Sequence, residues 1–169
     1  YNAIEVNPTP YPFFIDVVFK APKDEKGETK TLNLRSIAWL TESKAITDNV
    51  NIYADTFNYI TIRNNYQCSG RMLLDNRILI VGDHTARGKD GTWHCNEFRD
   101  IVINRALPFT EDILDDYQLI NTNLNNNMSW FDKRRLEEKY FIVRLEYNNT
   151  NNNELTLYEI TSLARLSYR

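Results

Sequence analysis

The stretch Thr31–Leu40 reads TLNLRSIAWL, and its alternation of apolar and polar side chains predicts a β-strand. Leu32 and Leu34 fall on one face, and Ile37 and Trp39 join that face only after a change of parity. Such a change is typical of a β-bulge, where one extra residue is inserted into a strand. The stretch therefore predicts a long strand with one face against a hydrophobic core.

Further strand-like runs lie on both sides of this stretch. Phe13–Phe19 (FFIDVVF) precedes it, and the charged segment Lys20–Lys30 between the two predicts an antiparallel hairpin. Other runs with strand character are Asn51–Arg63, Arg71–Leu74, Arg77–Val81, Asp100–Asn104, Phe141–Tyr147 and Glu154–Ile160. Residues Thr161–Arg169 either extend the last strand or pair elsewhere.

Helical patterns are confined to the region between residues 110 and 140. Thr110 is a good N-cap, and apolar residues follow it at helical spacing at Ile113, Tyr117, Ile120 and Leu124. A second, shorter helix is predicted from Ser129, with opposite charges four residues apart in the pairs Lys133/Glu137 and Arg134/Glu138. The expected fold is mostly antiparallel β, either α+β or sandwich-like, with one or two helices in this region.

Composition bounds the class of protein. The 169 residues carry 20 basic and 23 acidic side chains, so there is no basic excess for generic nucleic-acid binding. No apolar run approaches the roughly 20 residues of a membrane-spanning helix, and no membrane partner is expected. We expect an extended arm at residues 1–12, which contain three prolines, and a single β-rich domain at residues 13–169.

Asparagine is unusually common, with 21 residues against only five glycines. Asn enters the left-handed backbone region more readily than other non-glycine residues, and it forms side-chain turns. We therefore expect Asn to take positions in loops that glycine occupies in other proteins.

Reactive side chains are few. Cys68 and Cys95 are far apart in sequence and are expected as two separate buried thiols, although neighbouring strands could also place them in a disulfide. Cys68, His84 and His94 are weak candidates for a metal site, because zinc needs three or four converging ligands. His94 and Cys95 are adjacent, so in a strand they point to opposite faces. We assign no catalytic residue and expect no cofactor.

These observations favour a non-enzymatic structural or interaction protein. We expect a subunit of a larger homo- or hetero-oligomeric assembly, such as a virion or a phage head–tail component, and a virion location if the protein is viral. Partner contacts are expected at the aromatic residues Tyr1, Tyr11, Phe13 and Phe14 and at the loop Lys20–Lys30. One alternative is a surface module that binds carbohydrate or protein and exposes Trp39, Trp93 or Trp130. The other is a metal-dependent hydrolase built around His84 and His94.

Overall fold

The computed structural model describes residues 12–74, 87–89, 91–96, 98–100 and 133–167. Within these ranges the chain forms nine strands in two antiparallel sheets, and no helix. The strands are β1 (Phe13–Lys20), β2 (Thr31–Ala45), β3 (Tyr59–Arg63), β4 (Cys68–Leu73), β5 (Arg87–Lys89), β6 (Thr92–Asn96), β7 (Glu137–Glu138), β8 (Tyr140–Tyr147) and β9 (Asn153–Ser167). The prediction of a mostly antiparallel β fold is confirmed.

The first sheet has the strand order β1-β8-β3-β4. Strand β8 lies between β1 and β3, and its side chains alternate strictly between the core and the outer face. The core-facing residues of β8 are Phe141, Val143, Leu145 and Tyr147. On the outer face Arg144 donates two hydrogen bonds of 2.7 Å to the carboxylate of Asp16 on β1. The alternation places this pair where solvent reaches it, while the apolar face is buried.

The second sheet is built around β2. Strand β9 runs antiparallel along one side of β2 over its whole length, and β6 and β7 share the other side. The pairing between β2 and β9 shifts register between Leu34 and Ser36. This bulge brings Ile37 and Trp39 onto the buried face, as the change of parity in the sequence predicts.

Both sheets contribute to a single hydrophobic core. Its largest fully buried side chains include Trp39 and Ile37 from β2, and Phe141 and Ile60 from the first sheet. Burying a side chain of this size contributes about 1.5–3 kcal/mol, so the shared core is the main source of stability.

The predicted hairpin between β1 and β2 is wrong. Strand β1 pairs with β8, about 130 residues along the chain, whereas β2 belongs to the other sheet. Residues 21–30 carry the chain from one sheet to the other, and the Ala21 N–H donates to the carbonyl of Lys139. The alternation of each strand specifies which face is buried, but it does not specify which strand lies alongside.

Of the region predicted to be helical, the structure describes only residues 133–140. The helix expected from Thr110 to Leu124 lies outside the described residues, as does Ser129. Residues 133–140 are described and are not helical, because Glu137–Glu138 pair with β2 as strand β7. The four-residue spacing of charges here therefore marks an extended segment rather than a helix.

Asparagine serves in turns as expected. In the described part of the chain, the three non-glycine residues with positive φ are Asn49, Asn149 and Asn152. The last two shape the turn between β8 and β9, where the Asn152 N–H donates to the carbonyl of Asn149 at 3.2 Å. Separately, none of the described residues belongs to a helix long and apolar enough to cross a membrane.

Candidate functional site

Of the weak metal candidates, the two that the structure describes, Cys68 and His94, do not converge. Cys68 is fully buried on β4 of the first sheet, while His94 is exposed on β6 of the second. His84 lies outside the described residues. The neighbours of His94 in β6, Trp93 and Cys95, point into the core, so His94 occupies the outer face. Among the described residues no group of three His, Cys, Asp or Glu side chains is placed to hold a metal ion.

The two cysteines are free, separate and buried. Burial raises the pKa of Cys68 from 9.0 to about 11 and that of Cys95 to about 12. Both thiols are therefore protonated at neutral pH, and the thiolate is the form that attacks electrophiles. The expectation of two separate buried thiols is confirmed, and burial disfavours the reactive thiolate form of both.

Both thiols should resist modification in the native protein. We expect a small thiol reagent at pH 8 to react at least about 100-fold more slowly with the folded chain than with the chain unfolded in guanidinium. The unfolded chain is the internal control, and both of its thiols should react. The measurement is the rate at which the reagent releases its light-absorbing thiol as it modifies a cysteine. Fast modification of the folded chain would contradict the burial of Cys68 and Cys95.

The two tryptophans that the structure describes, Trp39 and Trp93, do not form an exposed platform. Trp39 and Trp93 are only 1% and 3% exposed and pack in the core between the sheets. The indole Nε1 of Trp39 donates to Thr56 Oγ1 at 2.9 Å, so its polar atom is used inside the protein. Trp130 lies outside the described residues. Stacking on a sugar ring requires an accessible aromatic face, which Trp39 and Trp93 do not offer.

A cavity of about 310 Å³ opens beside the end of β2. Exposed Tyr53 and Tyr158 line it together with Glu42 and Asp55. The Tyr158 hydroxyl donates to Glu42 Oε2 at 2.5 Å, and this hydrogen bond lowers the pKa of Glu42 and raises that of Tyr158. Tyr158 and Glu42 therefore hold each other across the mouth of this cavity.

Asp55 joins three strands at the same end of the molecule. Its Oδ2 accepts hydrogen bonds from the Ser43 hydroxyl at 2.6 Å, the Tyr147 hydroxyl at 2.6 Å and the Asn153 side-chain amide at 2.9 Å. These donors belong to β2, to the end of β8 and to the start of β9. Burial raises the pKa of Tyr147, and the hydrogen bond to Asp55 adds to this effect. The cluster therefore fixes the point at which the chain passes from the first sheet to β9.

The predicted partner-binding aromatics divide between described and undescribed residues. Tyr1 and Tyr11 lie outside the described residues, while Phe13 and Phe14 begin β1. The Phe13 ring packs against Tyr147 with 5.4 Å between ring centroids, and the Arg144 guanidinium lies 4.1 Å from the Phe14 ring centroid. Both rings keep substantial exposure, so a role in partner binding stays a prediction.

The predicted contact loop between β1 and β2 is organised by its own side chains. Asp24 Oδ1 accepts from the backbone N–H groups of Lys26 and Glu28, each at 2.9 Å, and Lys23 bridges to Thr29. Such local side-chain turns need no partner to hold their shape. A partner contact at this loop stays a prediction.

Strand β9 offers a different kind of surface. Within the described part of the chain it pairs with β2 alone, so its second side is an open edge. A strand residue directs its N–H and C=O to the same side, and successive residues alternate between sides. The Leu34 N–H donates to Leu136, and the Thr41 N–H donates to Gly91. Leu34 and Thr41 therefore direct their peptide groups away from β9.

Their cross-strand partners on β9 must also direct their peptide groups away from β2. Leu34 is opposite Ala164 and Thr41 is opposite Leu157, with one further register shift between them at Tyr158. Following the alternation from these two points identifies the residues whose N–H and C=O line the open edge. They are Leu155, Leu157, Ile160, Ser162, Ala164 and Leu166.

The side chains along β9 also separate by face. The apolar residues opposite the buried face of β2, such as Leu157 and Ile160, are partly buried against the core. On the outer face Leu163 is 64% exposed, and Tyr158 at the register shift is 60% exposed. The alternation of Glu154–Ile160 predicts the first half of β9, whereas Thr161–Arg169 is expected either to extend this strand or to pair elsewhere. The pairing of Thr161 through Ser167 with β2 resolves most of that segment.

Comparison with known proteins adds no relative, because neither the models of protein families nor the curated protein sequences match this chain.

Proposed function

We propose that this chain is an interaction protein, a subunit of a larger assembly, and that it binds its partner by adding a strand to the open edge of β9. The proposal follows the expectation of a structural subunit but moves the principal contact from the N-terminal residues to the last strand. Virions and phage head–tail particles are assemblies of the kind expected for such a subunit.

The observation that carries the proposal is the open edge itself. A fifteen-residue strand spans roughly 50 Å, and along one side of β9 the N–H and C=O groups pair with no strand among the described residues. Proteins that stay monomeric protect such edges with short strands, prolines, lysines or bulges. Strand β9 has no proline and no lysine, and its register shift at Tyr158 leaves residues 159–163 regular. An added strand would satisfy the free peptide groups, which is how β-augmentation supplies affinity.

The other two function classes draw less support from the described residues. For a carbohydrate module, the two described tryptophans, Trp39 and Trp93, are buried and offer no platform. For a hydrolase centred on His94, the described side chains include no group of three His, Cys, Asp or Glu residues that could hold a metal ion.

Site-specific photo-crosslinking tests the proposal. A benzophenone amino acid replaces Leu163 on the outer face of β9 in the full chain, made in the cells that naturally produce it. The matched control carries the same group at Tyr66, an exposed aromatic residue in the turn between β3 and β4 of the other sheet. We expect a protein adduct from position 163 and a much weaker one from position 66.

A second substitution links the adduct to the edge. The N–H of Ser162 points outward, so Ser162→Pro removes an edge donor without removing a hydrogen bond to β2. We expect this change to reduce the adduct from position 163 at least about fivefold while far-UV circular dichroism stays the same. If Ser162→Pro lowers the folded fraction, Thr161→Lys provides the same test, because a lysine on an edge strand discourages pairing. The absence of an adduct at position 163, or an adduct insensitive to both changes, would overturn the proposal.

A further inference from the structure

We propose that the strand added to β9 is β9 of a second copy, paired antiparallel about a two-fold axis at Ser162. This inference rests on the proposed function and names the partner that it leaves open. Three properties of the strand support this pairing: its charges, the faces on which they lie, and the direction of its peptide groups.

The charges of β9 are complementary to themselves when the strand is reversed. Glu159 lies three residues before Ser162, and Arg165 lies three residues after it. In an antiparallel pair centred on Ser162, Glu159 of each copy is therefore opposite Arg165 of the other. The two-fold axis produces this ion pair twice, and opposite charges facing each other across strands stabilise a sheet.

Both charged side chains lie on the same face. Glu159 is opposite Leu40 and Arg165 is opposite Asn33, and these two β2 residues belong to the outer, less buried face of the sheet. Glu159 and Arg165 are themselves exposed. A two-fold axis perpendicular to the sheet keeps each side chain on its face, so the opposite charges meet rather than pointing apart.

The directions of the N–H and C=O groups of β9 fit the same register, centred on Ser162. Ile160, Ser162 and Ala164 direct their N–H and C=O to the open edge, so Ser162 would pair with Ser162 and Ile160 with Ala164 as hydrogen-bonded pairs. Glu159 and Arg165 then form a non-hydrogen-bonded pair, where side chains of antiparallel strands approach most closely. This is the position at which an ion pair gains most from the pairing.

Neighbouring registers lose the complementarity. Moving the axis to Thr161 places Glu159 opposite Leu163, and moving it to Leu163 places Glu159 opposite Ser167. Of these three registers, only the one centred on Ser162 opposes unlike charges. The resulting pair would extend the second sheet continuously through both copies.

Charge reversal tests the inference with an outcome that only self-pairing produces. Glu159→Arg and Arg165→Glu each place like charges opposite each other, so each variant alone should dimerise at least about tenfold more weakly than the parent chain. The double variant restores both pairs in reversed polarity and should return to within about threefold of the parent. Sedimentation equilibrium of the purified chain measures all three dissociation constants.

Mixing the two single variants makes the test sharper. The Glu159→Arg copy carries arginine at both positions of the ion pair, and the Arg165→Glu copy carries glutamate at both, so every pair in the mixed dimer is attractive. We expect an equal mixture to form heterodimers at concentrations where neither variant dimerises alone. Glu154→Arg is the control, because Glu154 is an exposed acid of the same strand outside the paired stretch, and it should leave dimerisation unchanged.

The outcomes separate this inference from the proposed function. A parent chain that stays monomeric to about 100 µM overturns self-pairing, as does a failure of the mixture to associate. A photo-adduct from position 163 with the mass of a different protein also overturns self-pairing, but it leaves the proposed use of the β9 edge standing. Loss of the adduct altogether overturns both.

Discussion

Replacing Asp55 with alanine is expected to lower the free energy of unfolding by about 3 kcal/mol. One carboxylate oxygen of Asp55 accepts from Ser43, Tyr147 and Asn153. All three donor residues are buried, so removing the acceptor leaves three polar groups without their partner and with limited access to water. A buried donor left unsatisfied costs about 1–3 kcal/mol, and relaxation around the site reduces the sum.

Chemical denaturation monitored by tryptophan fluorescence measures this loss. The matched control is Asp24→Ala, which removes a carboxylate that accepts two backbone N–H groups within an exposed turn. Water can replace that acceptor, so we expect a loss below about 1 kcal/mol. Equal losses for the two variants would show that the Asp55 cluster contributes no more than an ordinary turn. Hydrogen exchange adds a local readout, because Asp55→Ala should speed exchange first at the start of β9.

Replacing Gly91 with alanine is expected to cost a similar amount, about 3 kcal/mol, for a steric reason. Gly91 has a φ of +80°, which L-residues with a side chain rarely adopt. A Cβ at this position would lie 2.6 Å from the carbonyl oxygen of Thr41. That oxygen belongs to the backbone of the central strand β2, and the Thr41 N–H donates to the Gly91 carbonyl at 2.9 Å. Neither side of the contact can move away without disturbing the pairing of the sheet.

The variant Gly27→Ala distinguishes the cost of backbone strain from the cost of the steric contact. It has the same φ of +80°, but a Cβ there would meet no atom within 4 Å. Gly27→Ala therefore carries only the backbone strain, which we expect to cost about 1 kcal/mol. The difference between the two variants in denaturant unfolding measures the close approach of Gly91 to β2. If Gly91→Ala were no more costly than Gly27→Ala, the packing of the turn before β6 against β2 would be contradicted.

The sequence was informative wherever a property depends on nearby residues. The alternation of Thr31–Leu40 identified β2, its buried face and its bulge, because side-chain direction in a strand depends only on position along the strand. The same argument placed Cys95 and His94 on opposite faces, and Cys95 is the one in the core. The use of Asn in left-handed turns also follows from the residue itself, as Asn49, Asn149 and Asn152 demonstrate.

The candidate site was much harder to predict from the sequence. Leu163 and Arg165 carry no motif, and the role proposed for them depends on the pairing of β9 on one side only within the described part of the chain. The aromatic residues at the start of the chain looked more suggestive, since exposed rings are common at interfaces. In the structure Phe13 and Phe14 are partly engaged with Tyr147 and Arg144. Composition can indicate that a chain binds others, but not which strand remains open.

Local alternation was sufficient to predict a β-rich chain and the inward faces of its main strands. Tertiary structure decided which strands lie side by side: β1 with β8 rather than β2, and β9 along all of β2. It also gathered Ser43, Asp55, Tyr147 and Asn153 into one hydrogen-bonded cluster. The physical reason is that side-chain direction is set within a strand, whereas strand neighbours are chosen by packing the whole core, through contacts between residues far apart in the chain.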